Sequence, residues 1–412
     1  MNMKRFGALA LCAALSLSLL TGCKSGDSSG SSSFSGSSSS SASSSQTEEP
    51  TLDLTGVTDP YLATAGIAGD TVIAQTDGAD ITAAQWLQWA AAYADQTAQY
   101  YGDDLPWDES DESGTMEDAV KLAALQMAQL YALLPHAAAA EGVAVDDSQL
   151  EEDKAGLKKM EEDLGGALLT DHYLWQIPLT RQAYLDMRLS AIAAAAIQQA
   201  RYGENGTRRP TDAQVLAYAA DELGIAYRAK HILLTTVDTS KPLTDENGKY
   251  TGEYEPLDEA TVAEKRKLAE DILTQLEGSS DPVALFDDLM HQYSEDTGLP
   301  SNPDGYDAQK GQMVEPFENA ALALNEGEFS GIVESAFGYH IILRLPVIAA
   351  NYREDYAAYL MSQDNERLLD ENPVTTNKVY DSVDLKAFYS NLTALRNTVA
   401  GELAAIETET DG

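Results

Sequence analysis

The chain has 412 residues, with 26 Lys and Arg against 67 Asp and Glu, a formal net charge of −41 at pH 7. A field that negative repels nucleic acid and anionic headgroups, which argues against both as partners. A hydrophobic fraction of 44% is enough for buried cores, and the length suits two or three domains rather than one.

Residues 1–22 carry Lys4 and Arg5, an apolar run from Phe6 to Leu20, and small residues at Thr21 and Gly22. This is the pattern of a secretory signal peptide, too short for a spanning helix. Leu20-Thr21-Gly22-Cys23 resembles a bacterial lipobox, which implies cleavage before Cys23 and diacylation of its thiol. Two acyl chains anchor stably, so the expected place is extracytoplasmic, on the outer face of the cytoplasmic membrane. Cys12, inside the apolar run, is the only other cysteine, so neither a disulfide framework nor a Cys/His metal cluster is expected. Residues 23–50 are a Ser-rich linker that cannot bury enough apolar surface to order itself. As a flexible chain it spans about 30 Å. Gly26-Asp27-Ser28-Ser29-Gly30 has the letters of a nucleophile elbow but not the strand and helix that an elbow needs.

Residues 51–223 read as a helical domain. A short strand over 71–76 and an Asp77-Gly78 turn precede Thr82-x-x-Gln85, a capping box that opens a helix near Trp86. Thr115 with Asp118, Ser148 with Glu151 and Thr211 with Gln214 mark further helix starts. Val120, Ala124, Met127, Tyr131 and Leu134 fall at helical spacing, the pattern of a packed core face. The acidic stretch from Asp103 to Glu112 reads as a solvated loop, since it lacks the ligand spacing of a calcium loop.

The texture changes over 224–346. Residues 225–234 alternate and then become apolar as a strand does, and a polar segment rich in turn residues follows to Pro256. Helices are expected over 258–277, with Val262, Ala269, Ile272 and Leu276 on one face, over 282–293, and after Pro316, with Phe317, Ala321 and Leu324 inward. A turn through Phe337-Gly338 leads into a strand from Tyr339 to Leu345. Strand, helices and a closing hairpin make an α+β domain.

His231 and His340 each sit in one of these strands, and if the strands pair, opposite Cβ atoms about 4.5–5.5 Å apart let the imidazoles hydrogen-bond. By pattern alone, two satisfied core histidines are the better reading of these positions. Five blocks weigh against the core reading: Ala229-Lys230-His231-Ile232-Leu233-Leu234, Tyr293-Ser294-Glu295-Asp296, Gly311 to Glu318, Leu324 to Ser330, and Gly338-Tyr339-His340-Ile341-Ile342. In order and spacing they resemble the parvulin-type peptidyl-prolyl isomerases. With the lipobox and a helical region on either side, the whole arrangement resembles the PrsA-type foldase lipoproteins and, more distantly, SurA. The resemblance implies an antiparallel sheet with surrounding helices, inserted in a mainly α-helical chaperone-like domain.

It also implies that His231, His340 and Asp296 are the active-site histidines and carboxylate. Met313 and Phe317 would hold the proline ring, with Gln312 beside it and Ser335 supplying a hydroxyl near the second histidine. Ala308 stands where many relatives carry an aromatic residue, which makes one pocket wall shallower. Phospho-specific parvulins carry a basic cluster after the first strand, whereas here Lys241 and Lys249 lie among Asp238, Asp245, Glu246, Glu253 and Glu255, so unphosphorylated X-Pro segments are expected. His136, His172 and His291 read as surface or packing residues. No metal, cofactor or nucleotide motif is found.

Residues 347–412 return to helical pattern and, by the resemblance, pack back on the N-terminal domain. The implied activity is prolyl isomerisation and chaperoning of unfolded exported polypeptides. The alternatives are a holdase whose parvulin domain has lost turnover and, further off, a solute-binding lipoprotein, whose two-lobed α/β pattern is not seen.

Overall fold

The computed structural model describes residues 49–410 except 77, 103, 104 and 113; the expected signal peptide, the expected lipid-attachment position Cys23 and linker residues 23–48 lie outside the described residues. The chain divides into two compact units, one of residues up to 209 and from 358 onward, the other of residues 210–357.

The first unit opens with α1 (Pro60–Ala65) and the antiparallel pair β1 (Val72–Thr76) and β2 (Ala79–Thr82). Thr82 then caps α2 (Ala83–Tyr101): its hydroxyl accepts the Gln85 N–H while Gln85 Oε1 accepts the Thr82 N–H at 2.9 Å. A short ribbon, β3 (Ser110–Asp111) and β4 (Gly114–Thr115), leads into α3 (Met116–Ala140), capped in the same reciprocal way by Thr115 and Asp118. Val120 and Ala124 are buried in the core cluster, with Met127 and Tyr131 packed against it. α4 (Ser148–Asp163) corrects the expected Ser148 cap. Asp147 is the N-cap without a side-chain bond, because the Ser148 N–H is taken by Asp146 Oδ1 at 2.9 Å in a turn just before the helix. α5 (Ala167–Trp175) and α6 (Arg181–Tyr202) follow.

The second unit begins with α7 (Asp212–Asp221), capped by Thr211 and Gln214, and the long strand β5 (Ile225–Thr235). The stretch expected as turn-rich is instead a two-stranded ribbon, β6 (Val237–Thr244) and β7 (Tyr250–Pro256). Its strands pair only with each other, so nothing imposes the apolar alternation of a core strand. α8 (Glu259–Gly278) and α9 (Pro282–Tyr293) are followed by β8 (Tyr306–Gln309), a strand that polar sequence hides, then α10 (Glu315–Ala323), β9 (Val333–Ser335) and β10 (Gly338–Leu345). The sheet order is β8-β5-β10-β9, antiparallel throughout.

The pleat sorts this sheet into two faces. Ile232, Leu234, Tyr339, Ile341 and Leu343 pack with Ile272, Leu276, Phe286 and Met290 of α8 and α9. Tyr227, Ala229, Ala308 and Ile342 pack with Phe317 and Ala321 of α10. Both histidines share the second face. Antiparallel register sets His340 opposite Leu233 and His231 opposite Ile342, so they are diagonal neighbours, not the directly opposite pair expected. The unit is wider than the expected 224–346 because Val215 and Ala219 of α7 cluster with Ala349 and Tyr352.

The chain then runs through α11 (Arg353–Glu371), β11 (Thr375–Thr376), α12 (Lys378–Ser382) and α13 (Leu385–Thr410). β11 adds to the open edge of β1. In α13, Phe388 and Leu392 join the core of Trp86, Leu87, Ile73 and Ile81, and Arg396 grips both Asp95 oxygens at 2.7 and 2.8 Å. Among the described residues no helix is long and apolar enough to cross a membrane.

Candidate active site

Asp296 reaches the sheet because the chain before it is laced to β5. The Glu295 N–H donates to Leu233 O at 2.8 Å and the Leu233 N–H to Ser294 Oγ at 3.1 Å. The carboxylate thereby meets His231: Nε2 lies 2.9 Å from Asp296 Oδ2, which also accepts the Tyr306 hydroxyl at 2.6 Å, while Oδ1 accepts the Gly298 N–H at 2.9 Å. Three donors, the His231 ring foremost, hold this carboxyl well below the usual range, against the opposing effect of burial. Asp296 is therefore ionised and fully bonded. Tyr306 titrates above its ordinary range, through burial and through the carboxylate it faces.

On its other side the His231 ring lies 13° from parallel to His340, with Nδ1 to Nδ1 at 3.1 Å. His340 Nε2 is 2.7 Å from Ser335 Oγ, and that oxygen accepts the Phe337 N–H at 3.1 Å. His340 is only 3% exposed; burial first, and repulsion from His231 second, push its pKa down to about 3. It is a neutral imidazole at neutral pH.

Counting hydrogens assigns the tautomers for a neutral pair. With the Phe337 N–H on Ser335 Oγ, the hydroxyl hydrogen is free to point at His340 Nε2. His340 then carries its hydrogen on Nδ1 and donates to His231 Nδ1, which leaves His231 Nε2–H to donate to Asp296. Each link has one hydrogen, and the chain runs in one direction from Ser335 to the carboxylate. The reverse direction would set a bare Nε2 against the ionised Asp296.

Phe317, 3% exposed, stands edge-on to both imidazoles, with ring centroids 5.2 Å from His231 and 5.6 Å from His340. Half-buried Met313 packs into the same cluster. Gln312 is exposed and its Oε1 accepts the Gln309 N–H at 2.9 Å, shaping the turn ahead of Met313. Ala308 is fully buried in the layer with Tyr227, Ala229 and Phe317. The face therefore sets half-buried Met313 over a buried Phe317 ring, beside the polar chain from Ser335 to Asp296.

Two contributors escape sequence reading. Tyr306 lies in a polar stretch with no strand alternation, its one signal being an aromatic residue after the Asp304-Gly305 turn. Ser294 lies in a block that carries the resemblance, but nothing in its local sequence marks the hydroxyl as the acceptor for the Leu233 N–H. Of the remaining histidines, His136 and His291 are exposed, while His172 is buried with Nδ1 2.6 Å from Glu402 and its ring against Trp175. Among the described residues no group of three or more His, Cys, Asp or Glu is placed to hold a metal ion.

Comparison with known domain families matches residues 231–345 to the PPIC-type PPIase (rotamase) domain. The chain is similar to the foldase protein PrsA of Geobacillus sp. (strain WCH70), 38% identical over 109 residues, covering 25% of this chain and 36% of that protein. It is similar to the foldase protein PrsA of Bacillus subtilis (strain 168), 32% identical over 141 residues, covering 33% of this chain and 46% of that protein. The chain thus spans less than half the length of these curated relatives. The crystal structure of PrsA from Bacillus subtilis aligns over 73% of this chain and 93% of that one, at 20% identity and a TM-score of 0.23.

Proposed function

We infer that this chain, whose residues 231–345 are a PPIC-type (parvulin) peptidyl-prolyl isomerase domain, is a foldase that speeds cis/trans exchange of X-Pro bonds in unfolded exported polypeptides. The observation that carries the reading is the continuous run of hydrogen-bond contacts from Ser335 through His340 and His231 to Asp296, set beside Phe317 and Met313.

Rotation about X-Pro breaks amide resonance, a barrier of about 18–20 kcal/mol, and needs neither a covalent intermediate nor a metal. An apolar slot at Phe317 and Met313 grips the proline ring and strips water from the amide, which disfavours the charge-separated planar form relative to the twisted one. The histidine pair presents a fixed pattern of dipoles to the twisting bond, and Asp296 acts as a positioning group by locking the tautomer of His231. Gln312 would border the slot and Ser335 would orient His340.

The helical unit would hold client chains while their prolyl bonds exchange, a step that otherwise takes tens of seconds. The Leu20-Thr21-Gly22-Cys23 motif supports a lipid anchor on Cys23 at the outer face of the cytoplasmic membrane, with the Ser-rich stretch as tether. A holdase without turnover has no observation in its favour, since Ala308 lies under the site layer and leaves the hydrogen-bond chain intact.

Exchange NMR on unphosphorylated X-Pro peptides tests the reading. The purified chain should raise the exchange rate, and Asp296→Ala and His231→Ala should each lower kcat/KM by about tenfold or more while the protein stays folded. A folded parent that leaves the exchange rate unchanged would overturn it.

A further inference from the structure

The β6–β7 ribbon follows the first histidine strand directly, and no residue of the hydrogen-bond chain from Ser335 to Asp296 lies in it. One of its faces nevertheless runs into the site. Tyr250 and Tyr254 lie on the same side of β7, 5.6 Å apart by ring centroids, opposite Thr244 and Pro242 of β6. Tyr254 lies 5.9 Å from Phe337, in the β9–β10 turn, whose N–H holds the Ser335 oxygen bonded to His340. The ribbon base is tied to that turn: the Thr236 N–H donates to Phe337 O at 3.0 Å and the Leu257 N–H to Thr236 O at 2.9 Å. Tyr250 is 46% exposed, on a ribbon too thin to bury its rings.

From this continuity we propose that Tyr250, Tyr254 and Phe337 form an aromatic ledge extending the isomerase site, and that it takes the client residues flanking the prolyl bond when these carry aromatic and basic side chains. The inference rests on the isomerase reading and adds its client preference. Charge selects the occupant. Residues 237–256 carry five carboxylates and two lysines. Lys241 is already engaged by Asp238 and Glu255, at 3.4 and 3.2 Å. Glu246 and Glu253 are exposed on the same ribbon, so its negative field attracts a cationic side chain whose neighbour stacks on a tyrosine and repels an acidic segment.

The test compares a four-residue X-Pro peptide with two fifteen-residue peptides around the same prolyl bond, one with Lys and Phe flanks and one with Glu and Phe flanks. The parent should show a lower KM for the Lys peptide than for the Glu peptide, a gap that narrows as salt rises. Tyr250→Ala with Tyr254→Ala should raise KM for the Lys peptide by about tenfold while kcat for the short peptide is unchanged. Tyr250→Phe with Tyr254→Phe should retain the low KM, and Glu246→Lys with Glu253→Lys should abolish the preference without changing short-peptide turnover. Equal KM for the Lys peptide in parent and double alanine variant, with short-peptide turnover intact, would overturn the ledge. Fluorescence anisotropy of the labelled long peptides reads the ledge without turnover. A parent that binds the Lys peptide in preference, by way of the tyrosines, yet isomerises nothing would refute the enzyme reading and leave the ledge standing.

Discussion

His340 sits where burial opposes charge most directly. Its ordinary pKa of 6.5 falls to about 3 in the folded chain, chiefly because the ring is sealed from water. Above pH 6.5 folded and unfolded states are both neutral there, so the residue contributes no pH dependence. Between 6.5 and about 3 the unfolded chain takes a proton that the folded chain refuses, so stability is lost as pH falls, at up to about 1.4 kcal/mol per pH unit. Asp296, depressed below its ordinary 3.8, adds a loss of the same sign at the acid end. Hydrogen exchange of the β5 and β10 amides between pH 8 and pH 4 measures this. The protection of the parent should fall more steeply than that of His340→Gln, and equal slopes would mean that the buried imidazole is not the source. His231, His340 and Asp296 were identified from residue blocks, whereas Tyr306 was not, because its role depends on a loop turning back onto a carboxylate ten residues earlier.

Among the elements, the β9–β10 turn shows how a backbone constraint serves the site. Gly338 has φ of +145°, and a Cβ there would lie 2.2 Å from the Leu234 carbonyl oxygen and 2.8 Å from the Thr236 nitrogen. A side chain would push β10 off β5 at the end next to His340. Gly338→Ala should cost about 2 kcal/mol or more by chemical denaturation, whereas Gly331→Ala, where a Cβ meets nothing within 4 Å, should change stability by less than about 0.5 kcal/mol. Equal effects would show that the turn adapts. Helix starts were legible wherever a threonine and a residue three positions on could close a box, as at Thr82, Thr115 and Thr211, because such a box lies within one helical turn. β8 and the ribbon were not legible. β8 is four residues long and earns its place by pairing with β5, and the ribbon's strands lie outside any core.

For the molecule as a whole, the cores divide with the units. Residues 210–357 contain the clusters on both faces of the isomerase sheet and the α7 cluster, while the other unit draws its core from both chain ends, with Leu385, Phe388 and Leu392 packed among Trp86, Leu87 and Ile73. All four tryptophans lie in this discontinuous unit, so tryptophan fluorescence reports it alone. Truncation after Glu371 should abolish the fluorescence-detected thermal transition, since β1 loses its edge partner and the core loses α13. The isomerase unit should still melt by circular dichroism. Loss of both transitions together, or an unchanged fluorescence transition, would refute this division.

Sequence alone determined the threonine-capped helix starts, the acidic character and the His231, His340 and Asp296 positions, since each is written in spacings of a few residues or in a run of matched blocks. Only the tertiary structure decided that the histidines sit diagonally rather than opposite, that Tyr306 completes the carboxylate's shell, that Ser335, His340, His231 and Asp296 join in one run of contacts, and that β11 closes the edge of β1 from about 300 residues away. Caps and pleats are satisfied by neighbours in the chain, but register and the hydrogen-bond partners of His231 are chosen by residues 65 and 109 positions distant. Those partners meet only once packing has fixed which faces are buried.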